Sequence, residues 1–72
     1  MKTVYIKEGQ KYILPDLFKA IEKEFLNRKE VSFNSIDYGS RLIIEVDYKK
    51  NRALTIEVIT SRGLVQIVKI NS

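Results

Sequence analysis

From residue 41 onward the chain is three β-rich runs, 41–49, 53–60 and 64–70, each parted from the next by a turn signal, and in the first two apolar and polar side chains alternate with a period of two. Such a pattern leaves little choice. Successive strand side chains point to opposite faces, so each run offers one apolar face for burial, and a slip of one residue in pairing would turn all of that face to solvent. In the first run Leu42, Ile44, Val46 and Tyr48 form the apolar set, while Arg41, Ile43, Glu45, Asp47 and Lys49 form the other. Ile43 is therefore the one aliphatic residue of that run expected to face away from the core.

Upstream, "VSFNSID" (31–37) is a further β-rich run that ends at "YGSR", and "TVYIK" (3–7) is read as the first strand. Between them lies a helical pattern. Pro15 suits a first helical turn, where its missing N–H costs nothing, and Asp16 puts negative charge at the positive end of the helix dipole. Leu14, Leu17, Phe18, Ile21 and Phe25 recur at spacings of three and four, with Lys19, Glu22, Lys23 and Asn27 on the opposite side, which predicts an amphipathic helix to about Lys29. The expected order is β-α-β-β-β-β. Residues 1–72 form one α+β domain, a curved antiparallel sheet with one helix packed across one face.

Turn lengths then assign neighbours. "SRG", with Gly63 in the left-handed position, reads as a three-residue hairpin pairing Thr60 with Leu64. Lys50, Asn51 and Arg52 read as a second three-residue loop, because a two-residue loop would mix the faces, and Gly39-Ser40 reads as a two-residue turn. This register sets Ile36, Ile43, Ile59 and Val65 in a row across the outer face, with Ile67 as a diagonal neighbour, and places Glu45 opposite Glu57. A contiguous aliphatic strip on a small monomer is the signature of an association surface, so these five residues are the expected protein-binding site, for a second copy or for a larger protein.

Composition narrows the alternatives. No cysteine and no histidine occur among the 72 residues, which excludes disulfides, thiolate and imidazole metal sites and the usual neutral-pH base. No phosphate-cradling glycine motif occurs, and the serines have no histidine to activate them. The chain is expected to be no enzyme, with no metal, cofactor or small-molecule substrate. Neither a leader nor an apolar run of membrane-spanning length is present, so a cytoplasmic protein without membrane contact is expected. The net charge of +4 supplies the alternative function, nucleic-acid binding through the hairpin tip Lys49, Lys50 and Arg52, aided by Lys19, Lys23 and Arg28 on the helix.

One strand, one helix and a run of antiparallel strands resembles the cystatin-like architecture, in which a curved sheet wraps a single helix. The glutamine-valine-valine-alanine-glycine loop of the protease-inhibiting members is absent, "TSRGLV" standing where that hairpin falls. What the resemblance implies is therefore a topology and a bias toward binding, not inhibition.

Overall fold

A computed structural model describes residues 6–71. It contains β1 (Lys11–Tyr12), α1 (Leu14–Glu22), a 3-10 turn (Arg28–Glu30), β2 (Val31–Tyr38), β3 (Arg41–Tyr48), β4 (Asn51–Ser61) and β5 (Leu64–Asn71). The strands form one five-stranded antiparallel sheet in the order β1-β5-β4-β3-β2, so the class is α+β. Of the strand expected at 3–7, residues 3–5 lie outside the described residues, and Ile6 and Lys7 are not in a strand. Ile6 is a core residue instead. The edge strand comes slightly later, where Gly9 N–H donates to the Ile67 carbonyl at 2.7 Å and Ile67 N–H to the Gln10 carbonyl at 2.9 Å, leading Lys11 and Tyr12 alongside β5.

The helix begins where Pro15 and Asp16 direct it but stops at Glu22, well short of Lys29. Two local preferences end it. The backbone tightens, with Glu24 N–H reaching the Ile21 carbonyl and Phe25 N–H the Glu22 carbonyl, which carries Phe25 onto the Tyr48 ring at a centroid distance of 4.9 Å. Asn27 then accepts from Lys29 N–H at 3.2 Å and caps the 3-10 turn, an alternative that asparagine offers against helix continuation. The stripe still does its work: Leu17 and Ile21 are fully buried, and Phe18 meets Phe33 at 4.8 Å. They close over Ile44, Val46, Ile56, Val58, Val65 and Ile67 of the sheet, a core whose members each contribute about 1.5–3 kcal/mol by burial.

The turns differ from the expected ones, and this changes which residues are inside. Lys49 and Lys50 both adopt positive φ, 53° and 67°, and form a two-residue turn that pairs Tyr48 with Asn51. That register alone would mix the faces. A bulge corrects it: Asp47 pairs with Arg52 and Val46 with Leu54, leaving Ala53 as the extra residue. The same device recurs at the last hairpin, where Arg62 and Gly63 (φ 52° and 81°) make a two-residue turn and Val68 is the extra residue between Val58↔Ile67 and Glu57↔Lys69. As a result Val65 and Ile67 point inward, with 4% and 0% of their surfaces exposed. The Gly39-Ser40 turn has the expected length, and Phe33↔Val46 and Ile36↔Ile43 pair as expected.

A candidate association surface on the outer sheet face

On the face away from the helix the register sets two adjacent rows. One runs Tyr38, Arg41, Ile59, Gln66 and Lys11; the next runs Ile36, Ile43, Glu57 and Lys69. Ile36 and Ile43 are direct neighbours, and Ile59, one strand and one row away, is diagonal to Ile43. Ile36 and Tyr38 retain 36% and 61% of their surfaces exposed, while Ile43 and Ile59 are half-buried. Three of the five expected binding residues therefore share this face. Val65 and Ile67 do not, because the two-residue turn at Arg62-Gly63 moves β5 by one position and the core claims both. Tyr38 takes their place, a residue the alternation already put on this face but that sequence reasoning had not counted as apolar surface.

Gln66 lies on the outer face, where the same one-position move of β5 puts it, and donates from Nε2 to the Gly9 carbonyl at 3.2 Å. Beside it Ile59 and Leu64 line a shallow hollow of about 430 Å³ rimmed by Lys11 and Arg62, so the apolar surface continues toward β1.

The carboxylates are also rearranged. Glu45 faces Thr55 rather than Glu57, which lies between Ile43 and Lys69, so no carboxylate pair forms. Glu45 and Asp47 converge instead on Arg52: its Nη1 reaches Glu45 Oε2 at 3.0 Å and its Nε donates to Asp47 Oδ1 at 2.6 Å, while Asn34 Nδ2 donates to Glu45 Oε1 at 3.0 Å. The hydrogen bond to Asp47 raises the guanidinium above its usual value, with the charges of both carboxylates adding to the effect and a desolvation penalty opposing it. Arg52 of the expected phosphate-binding tip is thus engaged by two carboxylates, with 48% of its side chain exposed. Of the other tip residues, Lys49 places its ammonium 5.3 Å from the Tyr48 ring, and Lys50 is exposed at the turn. Lys49 N–H also donates to the Glu30 carbonyl at 3.0 Å, which brings the turn carrying Arg28 and Lys29 to the same end of the molecule. Lys19 and Lys23 remain on the helix side, by the shallow groove along Tyr12, Asp16 and Ala20.

Among the described residues no group of His, Cys, Asp and Glu side chains is arranged to hold a metal ion, and no helix is long and apolar enough to cross a membrane. Comparison with protein-family models, curated proteins and solved structures finds no match to this chain.

Proposed function

We propose that the protein is a non-catalytic binding or regulatory protein that associates with protein through the outer sheet face, as a homodimer or by docking on a larger protein, in the cytoplasm. The observation that carries this reading is the juxtaposition of Ile36, Ile43 and Ile59 beside exposed Tyr38 on the face opposite the helix. An aromatic with a polar tip beside aliphatic side chains is the chemistry enriched at interface cores, and the Glu45–Arg52–Asp47 cluster supplies a polar border. The cystatin-like topology belongs to the same reading and favours binding over catalysis. Hydrophobic-dye fluorescence on wild type and Ile43→Lys tests it. Wild type should enhance the dye and the variant should lose most of that signal with its circular dichroism unchanged; a wild type that leaves the dye dark overturns the reading.

One observation favours a second reading, nucleic-acid binding: the Lys49–Glu30 backbone bond gathers Lys49, Lys50, Arg28 and Lys29 at one end. A salt titration of binding to mixed DNA and RNA decides it. Phosphate contact gives an affinity that falls steeply as salt rises, and no binding at low salt eliminates it.

A further inference from the structure

The two edges of the sheet are treated differently. At one, residues 8–12 lie along β5: besides the Gly9 and Gln10 bonds to Ile67, the Glu8 carboxylate accepts from Ile70 N–H at 3.2 Å. At the other, β2 is an eight-residue strand paired with β3 without a bulge, and among the described residues none pairs with its far side. Its sequence, VSFNSIDY, contains no proline and no lysine, the usual guards of an open edge.

Which backbone groups are free on β2 follows from two hydrogen bonds. Lys49 N–H donates to Glu30 O in the β2–β3 register, and Thr60 N–H donates to Ser40 O in the β3–β4 register. Hydrogen-bonded pairs alternate along an antiparallel ladder, so Ser32, Asn34, Ile36 and Tyr38 spend their backbone groups on β3, and Val31, Phe33, Ser35 and Asp37 direct theirs outward. Of these the Val31 N–H is already taken by the Arg28 carbonyl.

The strand also differs in charge between its ends, with Arg28, Lys29 and Glu30 just before it, two cations to one anion, and Asp37 near its finish. A parallel copy would stack like charges. An antiparallel copy related by a twofold axis at Phe33 sets Val31 opposite Ser35, Ser32 opposite Asn34 and Phe33 opposite its own counterpart, and brings the 3-10 turn carrying Lys29 to the end of the partner strand that holds Asp37. It also joins Phe33 N–H to Phe33 O and Ser35 N–H to Val31 O in both directions. No like charges meet. We infer that β2 pairs edge to edge with β2 of a second copy, extending the antiparallel sheet across a twofold dimer. This interface is separate from the outer face proposed above. A single pair of strands buries less than the roughly 1,200 Å² of a standard interface, so the dimer should be weak and exchanging.

Sedimentation equilibrium at submillimolar protein tests the inference. Wild type should show an average mass above the 8.4 kDa of one chain. Ser35→Pro, which removes an outward N–H and spares the β2–β3 ladder, should weaken association at least tenfold, whereas Ile43→Lys should leave it intact. Asp37→Lys should weaken it too, and adding Lys29→Asp should restore it, a readout that stands even if the proline variant fails to fold. A monomeric wild type overturns the inference, including one that captures extended peptides instead. So does an unrestored charge swap. Association that survives Ser35→Pro but is lost in Ile43→Lys also overturns it, and then seats the second copy on the outer face, leaving that reading standing; a dark dye with an intact edge dimer has the reverse meaning.

Discussion

Arg52 shows how a single side chain redirects a functional reading. In sequence it stands in a basic tip, two residues past Lys50; in the structure it crosses from β4 to two carboxylates of β3. Nothing in the local composition announces this, because the partners are set by pairing and not by proximity in the chain. Half exposed, such a cluster adds little stability, and its consequence is electrostatic: two carboxylates now offset the positive charge of Arg52 beside the lysines of the tip. Ile43 and Ile44 are the contrary case. The alternation alone places Ile44 in the core and Ile43 on the outer face, and Ile44 is indeed fully buried. Where the side-chain period carried the information, the sequence was sufficient.

At the level of elements, the sheet was legible and its turns were not. The four strands from residue 31 onward, their order in the chain and the Gly39-Ser40 register could be read, since a glycine in a short connection signals its own geometry. Lys49 and Lys50 give no such signal. A two-residue loop would mix the two faces of unbroken strands, so a three-residue loop is the economical reading, yet the chain adopts a two-residue turn with both lysines at positive φ and restores parity with a bulge at Ala53. At the last hairpin a glycine was present, but Arg62 joins it at positive φ, and the paired turn and bulge carry Val65 and Ile67 inward. The helix end was misread for a related reason, its apolar spacing continuing to Phe25 after the backbone had left the helix. Strain at the tip is measurable. Lys50→Gly should stabilise the fold by roughly 1 kcal/mol, the left-handed penalty less the entropy that glycine brings to the unfolded chain, as an increased midpoint in urea. An unchanged or lower midpoint would contradict the positive-φ turn.

For the molecule as a whole, one helix shelters one face of the sheet, and the two proposed interfaces lie on the other face and on the β2 edge. A chain of 72 residues buries a modest share of its surface, so the assignment of each aliphatic side chain to core or to outer face matters to both stability and function. Comparing Ile43→Lys with Val65→Lys in urea denaturation, with dye binding followed in parallel, tests that assignment most directly. The prediction is that Ile43→Lys unfolds within about 1 kcal/mol of wild type and loses dye binding, while Val65→Lys is unfolded or severely destabilised by its buried charge. The opposite result, a well-folded Val65→Lys that has lost dye binding beside an Ile43→Lys that cannot fold, would place the two residues on exchanged faces and contradict the account.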